Sequence, residues 1–451
     1  MLDIIISIFG MVLTILFIVG IHEFGHFIVA RLVGIKVLRF SIGFGKVLYR
    51  KYDKKGTEYV LAAIPLGGYV KMLDETEGPV PPEEMHLTYN RQPLISRIAV
   101  IIAGPFSNII FSFLLYWLLF MIGFTTPIPL IGKILPHSIA STAGMQPQTE
   151  VVSINNQQTP SWNHVLLQLM KYVGNKNQIE VETKNIHSKS VTNYTLNLSN
   201  WQMDQLNPDP LKSLGIEAYE PVIPPIIGKI QPGSAAAIAN LQVGDTILFI
   251  DKSPIKTWMD ALKIIAANPD KTLPFIIKRQ GKQLTIPVTI GYKHNLFLQK
   301  HGLMGISPDF KYPPEFLHKN QYGPIAALSQ AKDYTLEYIN LNFLMLGKML
   351  TGKVSLQSLG GPITIFESAG SALNSGFIPF IGFLAFLSIA IGVINILPIP
   401  GLDGGHLLFY FIEFVIRRPL SYNLQILFYR FGLIFLMLLL VQALANDLMR
   451  L

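Results

Sequence analysis

Four segments of this chain, residues 4–21, 98–124, 377–397 and 424–444, are apolar almost without interruption. A helix needs about 20 apolar residues to cross the hydrocarbon core of a bilayer, so the pattern predicts four spanning helices. The first segment opens Met1-Leu2-Asp3 without a basic stretch, and its apolar core is too long for a cleavable signal, so it is read as a retained helix. Between the second and third spans the pattern changes: residues 125–310 alternate short apolar runs with polar turns and Pro/Gly punctuation, as β-rich units do. From Pro324 to Leu350, apolar residues (Ile325, Leu328, Ala331, Leu336, Ile339) recur at helical spacing among Lys332, Asp333, Glu337 and Lys348. That predicts an amphipathic helix, lying on the membrane surface or packed as a linker. Between the first two spans, Glu58 to Met72 is β-prone but broken by Pro65 and Gly67-Gly68, which predicts a hairpin against the membrane face of the helices. Residues 41–45 are expected to be a second glycine-flexed loop nearby.

The β-rich segment contains a repeat. Leu130-Ile131-Gly132-Lys133-Ile134, with Pro136, Ser138 and Ala140 after it, matches Ile226-Ile227-Gly228-Lys229-Ile230 with Pro232, Ser234 and Ala236. The register holds without a gap through Val151/Ile247, Ile154/Ile250, Asn155/Asp251 and Trp162/Trp258, so two copies of one fold are expected in tandem. The second copy reads strand, Pro-Gly turn, short Ala-rich helix, Gly244-Asp245 turn, strand, and resembles a PDZ domain. PDZ domains bind extended peptide along a sheet edge; a steric plug or spacer would need no ligand. The first copy has Gln148-Thr149 where the second has Gly244-Asp245, so its turn geometry and groove are expected to differ.

Composition agrees with a membrane protein: of 451 residues, 50% are hydrophobic and 14% charged, where soluble domains carry about a quarter charged residues. The net charge of +8 is concentrated at Arg31, Lys36, Arg39, Lys46, Arg50 and Lys51 after the first span and at Arg417 and Arg418 after the third. These loops are expected to be cytoplasmic, which places both termini and the repeats on the other side, the periplasm of a bacterial inner membrane. The surplus is thereby assigned to topology, with no nucleic-acid partner. Without cysteine, disulfides and thiolate metal sites are excluded.

The end of the first apolar helix reads His22-Glu23-Phe24-Gly25-His26. Residues four apart share a helix face, so His22 and His26 can offer two imidazole nitrogens to one tetrahedral cation. Glu23 can then reach a water at the metal without being a ligand, the H-E-x-x-H arrangement of zinc peptidases. A chance match, or histidines that only hydrogen-bond within the bundle, is the bland alternative. Ionisable groups inside an apolar span are expensive unless they serve a function. A catalytic zinc takes three protein ligands and keeps one position for water. The third ligand is sought in Asn395-Ile396-Leu397-Pro398-Ile399-Pro400-Gly401-Leu402-Asp403-Gly404-Gly405, where prolines break the helix and glycines allow a tight turn. Asp403 there is either that ligand or a helix N-cap.

HEFGH in the first span with N-x-x-P-x-P-x-L-D-G after the third resembles the site-2 protease family of intramembrane zinc metalloproteases, and the resemblance covers nearly the whole chain. It implies that His22, His26 and Asp403 bind Zn2+ and that Glu23 is the catalytic base. It also implies that Asn395, Pro398 and Pro400, with Ile64, Leu66 and Tyr69 of the membrane-side sheet, help hold substrate, and that Asn108, in Gly104-Pro105-Phe106-Ser107-Asn108, has a structural role. The expected fold is a polytopic α-helical membrane protein of four spans, with a membrane-associated β-hairpin and two tandem periplasmic PDZ domains. Its boundaries are 1–30 (first span), 31–95 (cytoplasmic-side β region), 96–124 (second span), 125–220 and 221–310 (PDZ domains), 311–376 (linker and amphipathic helix), 377–416 (third span and following helix) and 417–451 (fourth span). Expected partners are the lipid bilayer, single-span substrates of the anti-sigma-factor type or remnant signal peptides, and peptide termini at the PDZ domains. A catalytically silent adaptor that collects periplasmic peptides is the alternative, although an adaptor needs neither HExxH nor LDG.

Overall fold

The expected spans and repeats are present in the computed structural model, which describes residues 2–175, 177–204, 209–294, 299–418 and 420–450. The apolar pattern of the first span continues as one helix, α1 (Leu2–Leu32), past the histidines. Two long strands follow, β1 (Val37–Tyr52) and β2 (Glu58–Met72), then α2 (Leu94–Ile122); residues 41–45, expected to be a loop, lie within β1, where pairing with β2 keeps them extended and Gly43 and Gly45 only kink the strand. The segment expected to be a hairpin is instead the single bent strand β2, whose two halves flank β1: Phe40 lies opposite both Val70 and Tyr59, and Ile42 opposite both Gly68 and Leu61. Pro65 and Gly67-Gly68 mark the bend between the halves, and pairing with β1 satisfies more backbone groups than folding β2 on itself would. At the tip of this sheet Asp53 pairs with Arg31 and accepts from the backbone N–H groups of Lys55 and Thr57. Burial alone would raise its carboxyl pKa, but these partners outweigh it and hold the group at about 2.

After β3 (Phe124–Pro127) the first repeat unit runs β4 (Ile131–Ile134), α3 (Ile139–Thr142), β5 (Thr149–Ile154), β6 (Gln157–Gln158), α4 (Trp162–Tyr172), β7 (Gln178–Asn185), β8 (Val191–Asn197), α5 (Pro210–Leu214) and β9 (Ile216–Ala218). The second runs β10 (Ile227–Ile230), α6 (Ala235–Ile238), β11 (Thr246–Ile250), β12 (Ser253–Pro254), α7 (Trp258–Ala267), β13 (Thr272–Arg279), β14 (Lys282–Thr289), β15 (Gly291–His294), β16 (Lys300–Leu303) and β17 (Ile306–Pro308). Both build the same four-stranded order, β6-β5-β7-β8 and β12-β11-β13-β14, beside a two-stranded ladder, β4-β9 or β10-β17. The repeated serines explain part of the likeness, because Ser138 and Ser234 each cap the short helix that follows. The expected difference in turn geometry is absent. Gln148 adopts the left-handed φ of 59° where Gly244 has 90°, and each donates its N–H to the preceding strand, to Ile131 O and Ile227 O. Only the side chains diverge: Asp245 is buried against Arg279 at 2.7 Å, while Thr149 bonds the Gln146 carbonyl.

The chain returns through β18 (Leu317–Asn320), paired with β3, to α8 (Pro324–Leu350), α9 (Pro362–Asn374), α10 (Phe377–Ile396), α11 (Asp403–Ile416) and α12 (Tyr422–Arg450). Among the described residues, four helices, α1, α2, α10 and α12, are long and apolar enough to cross a membrane. The amphipathic helix α8 packs: Ala327, Ala331, Tyr334 and Tyr338 join the core of α2 and α10, and the Tyr116 and Tyr334 rings meet edge-on at 5.0 Å. Its far end is tied to the first repeat, where the buried Lys348 ammonium donates to the carbonyls of Met170, Lys171 and Val173 at 2.7–2.8 Å, capping α4. Asp447 near the end of α12 accepts from the N–H groups of Gly361, Ile363 and Thr364 and so caps α9, which lies against Gly10 of α1.

Candidate active site

One helix carries both histidines. Because α1 stays helical past its apolar run, His22 and His26 stand one turn apart, with ring centroids 4.9 Å apart and Nε2 atoms 3.3 Å apart. His26 Nδ1 lies 2.8 Å from the Val100 carbonyl of α2. A carbonyl only accepts, so Nδ1 carries the hydrogen and Nε2 keeps its lone pair for a cation.

Asp403 completes the cluster from the other end of the chain. It is the first residue of α11; Leu402 holds the cap position and no side chain caps the helix, so the N-cap explanation of Asp403 fails. Its Oδ2 lies 3.0 Å from His22 Nε2 and 3.5 Å from His26 Nε2. One donor atom from each of the three residues lies within 4.8 Å of the others. Neither ring nitrogen meets Oδ2 in hydrogen-bond geometry, which leaves a buried carboxylate oxygen without a hydrogen-bond partner. Two imidazole nitrogens and one carboxylate oxygen this close together could hold a metal ion, and they match in kind the donors that a catalytic zinc takes.

Glycines let the elements come this close, in a way the sequence did not disclose. A Cβ on Gly104 would lie 2.2 Å from His26 Nε2 and 2.9 Å from His22 Cε1, so α2 lacks a side chain where the imidazoles stand. A Cβ on Gly25, within HEFGH, would lie 2.3 Å from the Ala103 carbonyl, and the two glycines interlock α1 with α2. Gly404 and Gly405 were expected to make a turn. They are helical instead and admit close backbone contact: a Cβ on Gly404 would lie 2.0 Å from Leu397 O, and one on Gly405 2.6 Å from Ile399 O. The turn itself uses Gly401, at φ 98°.

Glu23 points from the same helix toward the sheet. A Cβ on Gly68 would lie 2.8 Å from Glu23 Cγ, which places the second half of β2 directly over that side chain. Tyr69, next along β2, accepts a hydrogen bond from Arg39 at 3.0 Å and stacks on Phe44, while Ile64 is exposed. Leu66 lies in β2, with its side chain outside the described part of the structure. Asn395 sits half-buried in the last turn of α10, and among the described residues no hydrogen bond joins it to the three donors. Pro398 is exposed, whereas Pro400 packs on Gly432 of α12.

Two histidines on the apolar helix α1, an aspartate at the start of α11, a glutamate beside them and a strand alongside are the side chains that a metallopeptidase uses. A model of peptidase family M50 matches residues 10–439, and the chain belongs to that family. It is a zinc metalloprotease. The chain is 42% identical to the regulator of sigma-E protease RseP of Salmonella typhimurium (strain 14028s / SGSC 2262) over 452 residues, covering 100% of both chains. It is 42% identical to the Escherichia coli (strain K12) protein of the same name over 434 residues, 96% of each chain. A Vibrio cholerae protein carried under a zinc-metalloprotease name is 36% identical over 453 residues, again 100% of both.

Proposed function

We propose that His22, His26 and Asp403 hold the zinc and Glu23 is the general base of a protease that cuts within the transmembrane segments of single-span proteins. The convergence of three donor atoms from α1 and α11, one of them a buried oxygen without a hydrogen-bond partner, carries this reading. Zinc held by these three residues would supply the Lewis acidity that polarises a scissile carbonyl and lowers the pKa of a water toward about 7. Glu23 takes the proton of that water and returns it to the leaving amine.

A spanning substrate has its carbonyls bonded within its own helix, so the scissile segment must be unwound. The half of β2 from Gly68 to Met72 pairs with β1 on one side and lies over Glu23. Its free edge suits addition of an extended substrate strand, with Ile64, Leu66 and Tyr69 contributing from β2 and Asn395, Pro398 and Pro400 from the break after α10.

The two repeats are assigned as tandem PDZ domains that admit only substrates already trimmed outside the membrane, by size exclusion or by binding peptide termini. The relatives' names link them to sigma-E regulation, which favours an anti-sigma factor as substrate and a bacterial inner membrane as location. Both termini and the repeats then face the periplasm. In support, Arg97 at the start of α2 bonds Glu413 of α11 at 2.6 Å, and Tyr89, in the segment that leads from β2 to α2, meets Tyr410 of α11 at 2.5 Å, so the chain that follows the first basic loop packs against the helix that precedes Arg417 and Arg418.

Reconstitution with a single-span substrate, full-length and pre-truncated, with and without a chelator, tests the reading. Glu23→Gln should keep about one zinc per chain while cleavage falls by roughly 10²- to 10⁴-fold, and His22→Phe should lose the metal. Unchanged turnover in the first variant, or full zinc in the second, removes the assignment.

A further inference from the structure

Asn108 is wholly buried in α2, and the ligand assignment above makes no use of it. Its amide nitrogen lies 3.4 Å from His22 Nδ1, while its Oδ1 is buried with no hydrogen-bond partner. The neighbouring helix holds it in place: Ser388 of α10 donates to the Asn108 backbone carbonyl at 2.9 Å, and a Cβ on Gly392 would lie 3.3 Å from Asn108 Cβ. A polar side chain clamped against a histidine, with one of its two ends unmet, is costly unless it has work to do there.

His22 supplies the reason. A neutral imidazole carries one hydrogen, and if Nε2 is to offer its lone pair to zinc that hydrogen must sit on Nδ1. There it would meet the Asn108 NH2 group donor to donor. A half-turn of the terminal amide exchanges its nitrogen and oxygen, and Oδ1 then accepts the Nδ1 hydrogen. The half-turn moves the amide hydrogens to the buried place where Oδ1 meets no donor, at a cost of at most the partners that those hydrogens fail to find. Ligation of a divalent cation outweighs one such loss, because a cation tolerates no hydrogen on the nitrogen that faces it. His26 has already been settled in the same sense, its Nδ1 held by the Val100 carbonyl at 2.8 Å.

We infer that Asn108 is a positioning residue for the metal site: its side-chain oxygen accepts the Nδ1 hydrogen of His22 and fixes the tautomer and ring orientation that present Nε2 to zinc. The inference rests on His22 being a ligand. Both imidazoles are then steered from behind by α2, one through a backbone carbonyl and one through an amide.

Zinc affinity of the detergent-purified full chain, measured by competition with a chromophoric chelator, tests this alongside thermal unfolding of the zinc-free forms. Asn108→Ala should bind zinc roughly 10- to 100-fold more weakly, while Asn108→Asp, whose carboxylate accepts the same hydrogen, should stay within about threefold of the unmodified protein or bind tighter. Equal weakening in both variants, or none in Asn108→Ala, overturns the inference. Nitrogen-15 NMR of histidine-labelled, zinc-loaded unmodified protein reads the tautomer directly, whether or not the alanine variant folds. Hydrogen on His22 Nδ1 and metal at Nε2 is expected, and a bare Nδ1 overturns the inference. His22→Phe that binds zinc undiminished would instead remove the ligand assignment itself, an outcome distinct from any result at Asn108.

Discussion

At Gly104 the missing side chain is part of the site, because the space it leaves is where the two imidazoles stand. Gly104→Ala would drive a methyl group into His26 Nε2, with helix backbone behind it that cannot yield. The variant should purify with little zinc by metal analysis while its circular dichroism stays helical; a full complement of zinc would refute this account of the packing. His22 and His26 were legible in the sequence because their relation is local, a four-residue spacing that any helix turns into a shared face. Asp403 was legible because an acidic residue after a proline-broken apolar span has few uses. Gly104 and Asn108 stood out only as members of one family-like segment and Gly68 only as part of a bend; what each of them meets was not legible, since a close approach between segments far apart in the chain leaves no local pattern.

The membrane-side sheet shows the same divide at the level of elements. Its strand propensity and its bend were visible in Pro65 and Gly67-Gly68, yet the pairing was misread, because a bent strand and a hairpin share one local pattern and differ only in the partner they choose. In the observed pairing β2 leans on the catalytic helix through Gly68. Gly68→Val should therefore push the strand away from Glu23. Zinc content should stay near that of the unmodified protein and cleavage should fall at least about tenfold, a loss of about 1.4 kcal/mol in transition-state stabilisation. Zinc lost together with activity would mean that the sheet supports the metal site and not the substrate. The two segments share one strand order, and the pattern was visible in the sequence because recurring serine caps and strand spacings are local features copied twice. Helix α9 was not singled out. Its apolar face becomes meaningful only when Gly10 and Asp447 are known to meet it.

Across the whole molecule the proposed metal donors join the first helix to one of the last. Zinc binding is then linkage to folding, and a ligand present at a thousand times its dissociation constant stabilises the bound state by about 4 kcal/mol. Chelation should accordingly lower the melting temperature and speed amide exchange in α11 and around His22 and His26, while exchange in the two repeat cores, which pack separately from the donors, stays the same. Equal protection with and without chelator would show that the helices hold the site open unaided.

The distance along the chain between His26 and Asp403 also bears on synthesis. A ribosome makes α1 and α2 long before it makes α11, and in the interval those helices are themselves apolar segments, the kind of object that the enzyme as proposed would cut. Split between early and late helices, the blade is sharpened only after its own handle is complete, and a nascent copy has nothing with which to harm itself or its neighbours.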